Sequence, residues 1–204
     1  INQIDDIYKD SDDDQISSDG PIAGNIQRIS WVPNSHKIIY DKIDSLNPAE
    51  TYSDLFLFDF TTQKTERLTM GERAREASSS INGEQIVFVK LDALKTKLVI
   101  MDLKTKALKT IWSAPVQERI SHPSYLNANT VVFSLRKPST EENLISIDLS
   151  TGKLTTLAKD FPEARYPLVT GENIYFSSTK NGIRNIYVTN LKSNTTLPLT
   201  HIYT

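Results

Sequence analysis

Apolar residues in this chain gather in short runs divided by polar turns, and one arrangement of run, turn and run keeps returning. In "DLFLFDFTTQKTERLT", residues 54–69, the unbroken run Leu55-Phe56-Leu57-Phe58 ends at Asp59, a polar turn follows, and a second block closes at Leu68. Aligned on Asp59, "KLVIMDLKTKALKTIW", "NLISIDLSTGKLTTLA" and "NIYVTNLKSNTTLPLT" share this outline, with anchors Asp102, Asp148 and Asn190 spaced 43, 46 and 42 residues apart. Three residues after the anchor stands Thr62, Thr105, Thr151 or Ser193, and nine after it Leu68, Ile111, Leu157 or Leu199. A period in the forties marks a modular array.

Each unit has an upstream half built on a β-branched or aromatic run: "KIIYDKI", "QIVFVKL", "TVVFSLRK" and "NIYFSSTK", with an aromatic column Tyr40, Phe88, Phe133 and Phe176. Ahead of each lies a turn, "PNSH", "INGE", "LNAN" or "TGEN", of the kind that joins antiparallel strands. Before that comes a less regular segment, "IQRISWV", "AREASSS", "ERISHPSY" or "ARYPLV", which makes four strands per unit. A strand covered on one face alternates apolar and polar residues, so the continuous runs predict sheets sandwiched between sheets. A radial stack of four-stranded antiparallel blades supplies that burial. The anchor Asp or Asn is expected to accept backbone N–H bonds from its turn, helped by the Thr or Ser hydroxyl that follows. No helical spacing is sustained over three turns beyond the first twenty positions. The expectation is all-β: a β-propeller of about four blades, at about 26–70, 71–113, 114–159 and 160–200, after an acidic lead-in over 1–25.

"ISWVPNSHKIIY" followed by "DLFLFDF" and "RLT" resembles the WD40-like β-propeller repeat of the TolB type, as do "SSINGEQIVFV" and "LVIMDL" in the second unit. The later units match only in hydrophobic pattern and anchor. The resemblance covers about residues 26–200 and implies a propeller in a bacterial protein outside the cytoplasm, in the periplasm or cell envelope. It also implies more blades than four, so an incomplete ring is expected. Residues 201–204 would begin a further blade, and the remaining blades of a parent protein or a second copy would cover the open faces. Compact four-bladed propellers often close with a disulfide, which a sequence without Cys cannot make.

Composition changes little in this picture. Apolar residues at 38% and charged residues at 24% suit a globular protein, and no run is long enough for a membrane span. The net charge of −2 hides an uneven distribution: residues 1–20 hold seven Asp against Lys9, which leaves the rest mildly positive. Scattered cations do not form the basic stripe of a nucleic-acid reader.

Candidate chemistry is sparse. Asp10, Asp12 and Asp14 alternate as in a calcium loop, but Gln15 stands where the turn needs Gly and Pro21 where a bidentate Glu belongs, so an acidic linker is expected and no metal ligand. His36, His122 and His201 sit in different units and read as turn or surface residues. Glu141-Glu142 reads as a solvated pair. Neither Gly-x-Ser-x-Gly nor His-Glu-x-x-His occurs, so no catalytic residue and no cofactor is assigned. Arg73, Arg75, Arg119 and Arg165 recur before or within first strands, each near a Glu, and are the candidate binding residues: they either rim a central channel and grip a carboxylate or peptide, or pair locally with Glu between blades. Trp31 and Trp112 read as blade packing. The functional expectation is a non-catalytic scaffold for a protein or peptide. Its alternative is an accessory propeller of a peptidase or other hydrolase whose catalytic domain lies outside these residues.

Overall fold

Each repeat forms one antiparallel sheet, with its strands side by side in sequence order. The computed structural model describes residues 26–47, 50–138 and 142–202; the acidic segment from Asp10 to Asp19 and Glu141 lie outside them. Blade 1 comprises β1 (Ile26–Val32), β2 (Lys37–Asn47), β3 (Glu50–Asp59) and β4 (Lys64–Arg67), and blade 2 comprises β5 (Ala74–Ser79), β6 (Gln85–Asp92), β7 (Lys95–Asp102) and β8 (Leu108–Ser113). Blade 3 comprises β9 (Arg119–Asn127), β10 (Thr130–Arg136), β11 (Asn143–Asp148) and β12 (Leu154–Leu157), and blade 4 comprises β13 (Arg165–Thr170), β14 (Asn173–Ser178), β15 (Asn185–Asn190) and β16 (Thr195–Pro198). No helix occurs among the described residues.

The anchors behave as their chemistry requires. Asp102 Oδ1 accepts from Lys104 N at 3.0 Å and Thr105 N at 2.7 Å, and Asp148 Oδ1 accepts from Ser150 N at 3.0 Å and Thr151 N at 2.8 Å. Asp59 and Asn190 accept from the same two turn positions. Four residues after each anchor the backbone turns left-handed, at Gln63, Lys106, Gly152 and Asn194. The residue after each anchor then donates its N–H to the turn before the second strand: Phe60 to His36, Leu103 to Glu84, Leu149 to Asn129 and Leu191 to Glu172, at 2.8–2.9 Å. One outer hairpin is thus built four times with the same bonds.

Packing joins the blades face to face. Ile86 and Phe88 pack with Ile39, Leu55 and Leu57 of blade 1, while Val87 and Val89 on the opposite face of the same strand pack with Val131, Phe133 and Ile145 of blade 3. Val132 and Leu144 meet Ile174, Phe176 and Tyr187 in the third interface. Each aromatic of the column therefore faces the preceding blade. Tyr40 likewise points away from blade 2, stacking on Phe56 at 5.5 Å in a cluster with Ile38 and Phe58. Blade 4 differs: β14 and β15 alternate buried and less buried residues, and Leu168, Ile186 and Leu197 on its last face are exposed. First strands approach one another from β1 to β5, β9 and β13, but β13 does not return to β1 among the described residues. The four blades form an open arc of a propeller.

Two outcomes follow from these interfaces. Phe133 is fully buried between blades 2 and 3, so Phe133→Ala lowers unfolding free energy by about 3–5 kcal/mol in urea titration, against less than about 0.5 kcal/mol for Leu197→Ala on the open face. The hydroxyl of Ser150, then the N–H and hydroxyl of Thr151, hold the Asp148 carboxyl down to about 2. A carboxyl depressed in the native state contributes stability above its unfolded value of 3.8 and loses it as pH falls toward 2. Asp148→Asn, which keeps the acceptor oxygen, therefore lowers the melting midpoint at pH 7, and the deficit closes across that window.

Candidate functional site

Bulges in the first strands create the axial site. Between Arg75 and Ser78 the register with β6 slips, so Glu76 and Ala77 stand opposite the single residue Phe88. His122 and Pro123 oppose Phe133 in the same way, and Tyr166 and Pro167 oppose Phe176. The first residue of each pair is left-handed, with φ of 57° at Glu76, 51° at His122 and 57° at Tyr166. Side chains larger than glycine adopt that conformation at a cost of about 1–2 kcal/mol each, and such outliers cluster where a side chain has a task. The second residue, Ala77, Pro123 or Pro167, is buried; Pro suits a bulge because it has no N–H to give the ladder. In blade 1 the slip falls between Ile26 and Arg28, and Arg28 N donates to Asp41 Oδ1 at 2.8 Å.

One residue from each blade thus reaches a common cavity of about 420 Å³: Arg28, Glu76, His122 and Tyr166, joined by Pro167 and Leu168. His122 N donates to Glu76 Oε2 at 2.5 Å across the blade boundary, and the His122 ring meets Tyr166 edge-on with centroids 4.4 Å apart. Arg75 Nε lies 3.7 Å from the other oxygen of Glu76. Polar groups line one wall, and the exposed ring of Tyr166 with exposed Leu168 forms an apolar one. Burial draws the Arg28 guanidinium down from its ordinary value against the pull of Glu76 and Asp41, and pushes the Asp41 carboxyl up. Burial also lowers His122, with Glu76 opposing, so its imidazole is held toward the neutral form.

A charged pair between blades lies beside the cavity. Glu142 of blade 3 is buried, accepting from Ser121 Oγ at 3.0 Å and lying 2.7 Å from Arg165 Nε of blade 4. The expectation of a solvated Glu141-Glu142 pair is therefore corrected at Glu142, which is an inter-blade strut. His122, expected at a turn or surface, is half-buried on the axis because its bulge turns it there. Of the four candidate arginines, Arg75 and Arg165 immediately precede bulges and lie against Glu76 and Glu142, but neither lines the cavity. Arg73 is exposed and lies over the Tyr52 ring at 4.9 Å, and Arg119 is exposed at the start of β9. Trp112 packs on Phe133, whereas Trp31 is largely exposed and stacks on Phe60. No group of three or more metal-ligating residues is present among the described residues.

A larger groove of about 600 Å³ opens between the turns of blades 1 and 2. Two of its lysines are paired, Lys106 with Glu66 at 2.7 Å and Lys37 with Asp59 at 3.4 Å.

The chain matches no family model. By structure it is similar to TolB from Acinetobacter baumannii, with a TM-score of 0.72 at 17% identity over 87% of this chain and 44% of that one. It is similar as well to the β-propeller domain of the Trilobed protease from Pyrococcus furiosus, with a TM-score of 0.61 at 10% identity over 86% of this chain and 57% of that one. A puromycin-hydrolyzing peptidase of Mycobacterium tuberculosis gives 0.65 at 10% identity over 87% of this chain and 31% of that one. This chain thus spans about half or less of the first and last of these proteins. These likenesses show the fold, a segment of a TolB-like β-propeller.

The strained bulge gives its own test. In an ordinary strand Ala is preferred to Gly, but at a left-handed position the order reverses. Tyr166→Gly is expected to be about 0.5–1 kcal/mol more stable than Tyr166→Ala in urea titration. Equal stabilities, or Ala ahead, would contradict the left-handed conformation.

Proposed function

We propose that this chain is a non-catalytic scaffold that binds a protein or peptide segment in its axial cavity, as part of a larger bacterial protein of the cell envelope. The observation carrying this reading is the convergence of Arg28, Glu76, His122 and Tyr166, one from each blade, on a single cavity with a polar and an apolar wall. Peptides present both chemistries along their length, and exposed aromatic surface beside fixed polar groups is what binding sites use. Arg75 and Arg165 support the cavity from beside the bulges, while Arg73 immediately precedes β5 and Arg119 begins β9. The envelope location rests on the likeness to TolB. The exposed apolar face of blade 4 suits a further blade or a second copy.

Against catalysis within these residues stands the use already made of the polar groups. Ser121 gives its hydroxyl proton to Glu142, and Glu76 is taken by His122 N. The second reading, an accessory propeller of a peptidase, is favoured by the likeness to peptidase propellers. A reading frame that continues into Gly-x-Ser-x-Gly or His-Glu-x-x-His would select it.

Random-peptide phage display on the protein tests the scaffold. Enriched peptides are expected to bind the Tyr166→Ala, Leu168→Ala double variant at least about ten-fold more weakly, and Lys106→Ala at the outer groove without change. Peptides that bind both variants as they bind the parent would remove the axial site.

A further inference from the structure

Arg28 stands apart from the other charged residues near the axis. Its guanidinium forms no ion pair with a described carboxylate; its Nη1 is shielded from solvent without a hydrogen-bond partner, as are Arg75 Nε and Arg165 Nε, but those two groups lie against Glu76 and Glu142. Every neighbouring charge is engaged differently. Glu76 is held by His122 N and faces Arg75, Asp41 accepts the backbone N–H of Arg28 through one oxygen, and Arg165 lies against Glu142. Glu76 and Asp41 are close enough to pull on the guanidinium through space, but neither bonds it. A half-buried guanidinium with a shielded, unpartnered nitrogen carries a desolvation cost that an anionic guest would offset. Arg28 lines the axial cavity, facing the Tyr166, Pro167 and Leu168 wall.

We infer that Arg28 is a carboxylate-recognition residue of the axial cavity: the guest presents a carboxylate to Arg28 and an apolar side chain to Tyr166 and Leu168. This rests on the axial binding reading and names the group that is read. A guanidinium presents a planar fork of donors that fits a carboxylate with two parallel bonds, whereas a neutral amide satisfies only part of it. The carboxylate comes from the C-terminus of a peptide or from an Asp or Glu side chain. The unbonded Oδ2 of buried Asp41 offers the opposite preference, an ammonium guest, and the test separates the two signs.

Four peptides serve as probes: acetyl-Ala-Pro-Leu with a free C-terminus, its C-terminal amide, acetyl-Asp-Pro-Leu amide and acetyl-Lys-Pro-Leu amide. Each is titrated into the isotope-labelled protein while the Arg28 side-chain N–H and the Tyr166 backbone amide are followed by NMR. The free acid or the Asp peptide is expected to bind about ten-fold tighter than the neutral amide, and which of them does so identifies the carboxylate's source. Arg28→Gln is expected to erase that difference while leaving the neutral amide's weak binding in place, with a melting midpoint no lower than the parent's. Equal binding of acid and amide with axial resonances shifting would end the carboxylate reading and leave the axial site standing. No axial shift with any peptide removes both. Preference for the Lys peptide, or a midpoint lowered by Arg28→Gln, overturns the role given to Arg28.

Discussion

A β-sheet that is apolar on both faces has to be covered on both, and this protein meets that requirement by making each sheet the cover of the next. Ile86, Val87, Phe88 and Val89 are consecutive and all fully buried, which in a pleated strand requires a partner above and a partner below. The rest of the architecture follows from it. Blades stacked in sequence order bring their first strands together at an axis and leave their outer hairpins as a polar rim. The two ends of the arc differ: the strands of blade 4 alternate in burial as those of blades 2 and 3 do not, whereas blade 1 keeps Ile38, Tyr40, Phe56 and Phe58 buried on the face away from blade 2.

The same aromatic column that seals the interfaces shapes the axis. Phe88, Phe133 and Phe176 each sit opposite two residues of the first strand instead of one. The extra residue bends that strand and turns a large polar side chain inward. Packing between blades and chemistry at the axis are therefore one geometry. The left-handed conformations at Glu76, His122 and Tyr166 persist because the hairpins on their outer side are fixed by four repetitions of the anchor bonds and by continuous apolar contact.

What the sequence makes legible divides along the same line. The four hairpins are legible because Asp59, Asp102, Asp148 and Asn190 act locally, within three residues, and the apolar runs report burial directly. The axial residues are not, because a bulge is a mismatch between two strands and neither strand announces it alone. Glu76-Ala77, His122-Pro123 and Tyr166-Pro167 share only a large polar residue before a small one or Pro, and at His122 that signal reads equally well as a turn. Nearness in sequence pairs Arg165 with Glu163, which lies 3.8 Å away, but gives no sign of Glu142, 2.7 Å away and brought there from the blade before. It passes over Arg28, whose carboxylates come from β2 and β5.

The two arginines define opposite uses of charge within one fold. Arg165 and Glu142 belong to adjacent blades and neutralise one another at 2.7 Å, with Ser121 filling a further acceptor site on Glu142. The pair links blades 3 and 4 by charge, although Arg165 Nε makes no well-aligned hydrogen bond. Arg28 sits at the other end of the arc, where the bulge has shifted and its own strand partner supplies only Asp41, bonded to the backbone instead of the guanidinium. The site thus has its charge paired on the side of blades 3 and 4 and lacks an ion pair at Arg28 on the side of blade 1. A guest that completes it would contact the first and last described blades together, so its binding would depend on how far apart the arc holds them.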